Sequence, residues 1–168
     1  MTYKKILAAL LATAACSSAV AMETDRFRTI VADTVSQLEA GDVDADALIA
    51  LQVELVQIGV AGALEHASEA PEDAKILNYV ADNAEKMMAM DLDGIEVAWH
   101  DGEAFQEIGT DIEDYDHFSP VVGHVDAVVH PATAVIALRS YKETGDKVFL
   151  LQVKDELAEV VEHLAHID

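Results

Sequence analysis

The sequence predicts an all-α protein: an antiparallel, up-and-down bundle of four main helices preceded by a shorter N-terminal helix. Three observations carry this expectation. Apolar residues recur at three- and four-residue spacing almost throughout, nothing alternates with the period of two that a half-buried strand needs, and the periodicity breaks at capping and turn residues.

The chain opens with "MTYKKILAALLATAACSSAVAMETDR", in which Lys4 and Lys5 precede an apolar run from Ile6 to Ala15 and a small-residue ending Ala19-Val20-Ala21. This is the pattern of a secretory signal peptide, expected at 1–21 with cleavage after Ala21, and it predicts an exported protein, periplasmic or secreted. The apolar run is shorter than the roughly 20 residues a permanent membrane span requires. Ala47 to Leu64, the most apolar later stretch, carries Gln52, Glu54 and Gln57, so no transmembrane helix is expected. The run "TAAC" before Cys16 loosely resembles a lipobox, with Thr13 where leucine is usual, and lipid anchoring through Cys16 is the minority alternative. Cleavage after Ala21 leaves no cysteine, which removes disulfides, thiolate catalysis and cysteine-ligated zinc.

The remaining 22–168 reads as a single helical-bundle domain, long enough to bury a core without staples. Net charge over the full chain is −22, from 32 acidic against 10 basic residues. Such a surface repels nucleic acid and anionic lipid and attracts cations or a basic envelope protein.

In chain order, Phe27, Ile30, Val31, Val35 and Leu38 share one face of a first helix over about Asp25 to Glu39, stopped at Gly41. Asp42 and Asp44 are N-cap candidates for a second helix, roughly Asp46 to Ser68, whose two apolar stripes suit a central position. Pro71 fits the first turn of a third helix running through Ile76, Leu77, Val80, Ala84 and Met87, with Gly94 interrupting it. His100 to Phe118 is a long acidic connection without periodicity, a length more often functional than incidental.

Ser119 and Pro120 read as N-cap and first residue of a fourth helix reaching about Lys142. Its stripe of Val121, Val125, Val128, Ala132 and Val135 continues across Pro131, which predicts one kinked helix rather than two and leaves the Ala127 carbonyl without its amide partner. "ETGDK" turns the chain into a last helix with a seam of Leu150, Val153, Leu157, Val160, Leu164 and Ile167.

The chemistry concentrates where the acidic connection meets the fourth helix. His100, Asp116, His117, His124 and His130 form a candidate mixed nitrogen and oxygen site for a divalent transition metal, Zn, Cu or Ni, since imidazole suits these ions and carboxylate adds charge. On a regular helix His124 and His130 point about 120° apart, so convergence requires the kink. His130 lies opposite the apolar stripe one turn after Asp126, either as an exposed i,i+4 pair or as a base dyad. His163 and His166 read as dipole-compensating residues at a helix end, and His163→Ala is expected to leave any metal effect intact.

Other chemistries find less support. Asp42, Asp44 and Asp46 imitate a calcium loop, but Ala47 and Val53 stand where it needs glycine and glutamate. The lack of Cys-x-x-Cys-His excludes covalent haem c, and Met87, Met88 and Met90 read as core filling. No nucleophile elbow, phosphate loop or His-Glu-x-x-His occurs. The general shape resembles exported helical bundles of the cytochrome b562 type, a likeness of architecture that carries no function. The expectation is a noncatalytic binding or stress-related module with a transition-metal site. The alternative is a structural or interaction module of the bacterial envelope with incidental histidines.

Overall fold

The computed structural model describes residues 23–41 and 43–167, all helical or connecting, with no strand among them. The signal peptide, Cys16 and the Asp42 capping assignment lie outside the described residues.

Helix α1 (Thr24–Ala40) buries Phe27, Ile30, Val31 and Thr34 and ends at Gly41, whose φ of 73° is the left-handed geometry glycine adopts without cost. Helix α2 (Ala45–Glu69) starts at Asp44, whose carboxylate accepts from the amides of Asp46 and Ala47, both at 3.1 Å. Helix α3 (Ala74–Met88) begins three residues after Pro71, which sits in the preceding turn and not in the first helical turn. The physical reason is visible at Asp73: its carboxylate faces His66 Nε2 at 3.2 Å instead of capping the helix.

The predicted continuation of α3 is a separate short helix, α4 (Leu92–Ile95), capped by Asp91 on the Gly94 amide at 2.7 Å. It runs directly into a single π-helical turn, Glu96–His100, closed by the Asp101 amide on the Glu96 carbonyl at 2.8 Å. The aperiodic connection contains α5 (Glu103–Gln106) and a 3-10 turn, Ile112–Asp114. Phe105, fully buried, pins this segment, its ring edge-on to Trp99 at 5.4 Å.

Helix α6 (Pro120–Thr144) runs unbroken through Pro131, as the continuous apolar register predicts. From Val121 to Leu138 every residue except Asp126 is buried. The centre of the molecule is therefore α6 and not α2: α2, α3 and α7 (Val148–His163) pack around it, while α1 rests on α2 and α7. This envelopment explains its composition. By length and composition both α2 and α6 are apolar enough to cross a membrane, but 94% of the α6 window is buried within the protein.

Gly59 lets α2 approach α6 closely. It lies against the Ala127 carbonyl that Pro131 deprives of a partner, and a Cβ at position 59 would stand 2.3 Å from that oxygen. The core runs on both sides of α6, with Phe27, Leu48, Leu55, Leu138, Val153, Leu157 and Val160 toward α1 and α7, and Ile76, Leu77, Val80, Met87, Ile95 and Phe105 toward α3 and the connection. The last-helix seam from Val153 to Leu164 is buried as its spacing predicts.

Candidate metal centre

Three segments distant in sequence deliver His100, His130 and Glu156 to one place, with one ligand atom of each within 4.8 Å of the others. Each has a local cause. The π-helical turn widens the backbone by one residue just before His100, and π turns recur at functional sites because the extra residue redirects a side chain. Trp99, packed on Tyr79 and Phe105, fixes that turn against the core. His130 stands one residue before Pro131 on the most buried stretch of α6, and Glu156 occupies the face of α7 that covers it.

Glu156 Oε2 is the hub. It accepts from His130 Nδ1 at 2.8 Å and lies 3.8 Å from His100 Nε2. His100 Nε2 is also 2.9 Å from the Thr133 hydroxyl, which itself donates to the Val129 carbonyl at 3.1 Å. That network assigns the His100 proton to Nε2, donated to Thr133. Ligand atoms around a tetrahedral zinc lie roughly 3.4 Å apart, given bonds of about 2.1 Å. The separations here bracket that value, so small side-chain rotations suffice to close the set on an ion.

The electrostatics suit a cation. Burial alone lowers the His130 pKa, but the hydrogen bond to Glu156 and the negative charges of Asp126, Glu156 and Glu159 outweigh it, and the net shift is upward. His130 therefore holds its proton more firmly than a free imidazole does, and a metal ion binding there competes with that proton.

His130 and His100 also border a cleft of about 380 Å³, whose wall includes Trp99, Tyr115, His117, Asp126, Glu159 and His163. Gly123 lets α7 end close to α6: a Cβ there would lie 3.2 Å from the His163 carbonyl and 2.8 Å from Ile167. This approach puts His163 Nδ1 at 2.7 Å from Asp126 Oδ2, although the two are not aligned as donor and acceptor and the nitrogen has no hydrogen bond. The His117 ring stands edge-on to His163 at 4.5 Å between centroids.

Of the residues singled out from sequence, His100 and His130 come together and His117 lines the same cleft. Asp116 and His124 do not join them. Asp116 is exposed and accepts from the Phe118 amide at 2.9 Å, closing a local turn. His124 lies on another face of α6, its ring 5.0 Å from His66 of α2, so the 120° offset between His124 and His130 persists despite the proline that follows them. There burial, followed by the neighbouring His66, pushes its pKa down to about 4, and its Nδ1 has no hydrogen-bond partner.

The exposed Asp126–His130 pair expected from spacing is instead a buried histidine beside a half-buried carboxylate, because α7 covers that side of α6. His130 Nε2 is 3.9 Å from Asp126 Oδ1, too far for a dyad, and Asp126 turns to His163 instead. Glu156, Glu159 and His163 were not anticipated as site residues. Their spacing of three and then four places them on one face of α7, a signal masked by the simpler i,i+4 reading of Glu159 with His163.

No protein-family model matches the chain, and no curated protein or solved structure shows significant similarity to it.

Proposed function

We propose that this protein is an exported, noncatalytic metal-binding module that takes a divalent transition metal, with zinc, copper or nickel as the ions its ligands suit. His100, His130 and Glu156 are its protein ligands. The observation that carries this reading is the convergence of two imidazoles and a carboxylate from three separate segments at a largely buried point. A metal there supplies a link between the connecting segment, α6 and α7 that hydrogen bonds alone make only in part. The cleft beside it leaves room for a water or small ligand to complete the coordination. The export signal read at 1–21 supports a periplasmic or secreted setting, where a metal buffer or stress-related binder would meet free ions.

Thermal unfolding of chelator-treated protein with and without zinc tests this. Wild type and His124→Leu gain melting temperature with zinc, whereas His100→Ala, His130→Ala and Glu156→Gln do not. An equal gain in all five proteins would refute the assignment.

A second reading, an interaction module for a basic envelope protein, draws on the acidic surface, 32 acidic against 10 basic residues. It predicts a partner that co-purifies at low salt and dissociates as ionic strength rises.

A further inference from the structure

We propose that the cleft takes a second divalent cation beside the first, held between Asp126 Oδ2 and His163 Nδ1, with His117 from the acidic connection as the next donor. The proposal rests on the reading of His100, His130 and Glu156 as a metal site and extends it along the same cleft.

The argument begins at His163. Its side chain is 8% exposed, it lines the cleft, and its Nδ1 is buried without a hydrogen bond. A buried ring nitrogen is normally paired. Here a carboxylate oxygen lies 2.7 Å away yet off the line an N–H would take. At that separation a cation lying beside both atoms can be shared by the imidazole nitrogen and the carboxylate oxygen. A hydrogen bond would align them; a shared cation does not need that alignment, because each atom directs its own lone pair at the ion.

Further donors surround this pair. His117 stacks edge-on against His163 and is exposed, free to turn its ring into the cleft. Glu159, 65% exposed, reaches toward the same space, its Oε2 lying 3.9 Å from His130 Nε2.

His130 stands between the two positions. Its Nδ1 meets Glu156 in the first, and its Nε2 faces Asp126 Oδ1 at 3.9 Å on the side of the second. Carboxylates lie on both sides of this ring, Glu156 at the first position and Asp126 and Glu159 toward the second, so each position has negative charge to offer a cation. The Gly123 contact that seats the end of α7 against α6 is what keeps His163 in reach of Asp126.

The test is metal stoichiometry on the full chain. Chelator-treated protein is loaded with cobalt(II), passed through gel filtration at high salt to strip surface carboxylates, and assayed for cobalt per chain. Wild type is expected to retain about two ions, in keeping with a two-metal site. His163→Gln and the isosteric Asp126→Asn should each fall to about half of that, and His100→Gln should lose the other half. Helical circular dichroism and melting of each variant show that it is folded.

Wild type retaining about one ion, lost in His100→Gln and unchanged in His163→Gln, overturns the second position and leaves the first intact. Cobalt that does not fall in His163→Gln or Asp126→Asn overturns it equally. No retention in wild type ends both readings.

Discussion

His124 offers the sharpest quantitative prediction about the fold, because it is a buried imidazole kept neutral by its surroundings. It is 4% exposed, and its pKa is driven from 6.5 down to about 4 by burial and then by His66. In the unfolded chain it titrates near 6.5. Between those values the unfolded state binds a proton that the folded state refuses, so stability falls as pH falls through this window and is unaffected above it. The slope approaches about 1.4 kcal/mol per pH unit, and the loss between pH 7 and pH 5 integrates to about 2 kcal/mol. That range also stays above the sequence pI of about 4.3, where solubility is lowest.

His124→Leu removes the titration while keeping an apolar side chain of similar size against His66. Urea unfolding of chelator-treated wild type and variant, followed by circular dichroism at pH 7, 6 and 5, isolates the effect from the many exposed carboxylates common to both. The stability difference, wild type minus variant, should move against wild type by about 2 kcal/mol on going to pH 5. A difference that stays flat across the range would show that His124 protonates normally in the folded protein, and the argument from burial would fail.

Other perturbations give equally definite outcomes. Gly59→Ala should destabilise by about 1–3 kcal/mol in denaturant unfolding even though alanine favours helix, because its Cβ meets the Ala127 carbonyl; a stabilised variant would contradict the packing described. Zinc at a hundredfold excess over its Kd should stabilise wild type by about 2.7 kcal/mol, and Glu156→Gln should abolish that gain while Asp116→Asn keeps it, as read by melting. Because its surroundings raise the proton affinity of His130, zinc binding should release more protons as pH falls. Calorimetry in buffers of different ionisation enthalpy reads that release; a release independent of pH would mean His130 is not the group displaced.

Much of the fold was legible because its determinants are local. Apolar spacing located α1, α2, α6 and α7, and Ser119-Pro120, Asp44 and Gly41 marked boundaries by chemistry that acts within one turn. Pro71 misled because Asp73 found a partner in His66, a contact across a turn that no local rule contains. The π-helical turn at Glu96–His100 has no periodic signature, being held by Trp99 against residues of α3 and α5.

The site was legible by half for a related reason. His100 and His130 announced themselves as candidates by residue type, but their partner Glu156 is an ordinary acid on an amphipathic helix until α7 is laid against α6. His163 looked like a helix-end cation for the same reason. His124 was drawn in by proximity in sequence to His117 and His130, whereas rotation along α6 carries it to α2.

The most direct test of the metal site is elemental analysis, with a visible absorption spectrum, of untagged protein purified from its native source without chelators. Wild type should carry at least one equivalent of zinc, copper or nickel per chain, removed by chelator and absent from Glu156→Gln prepared in parallel. Wild-type protein that carries none of these metals and gains no melting temperature when they are added back would contradict it.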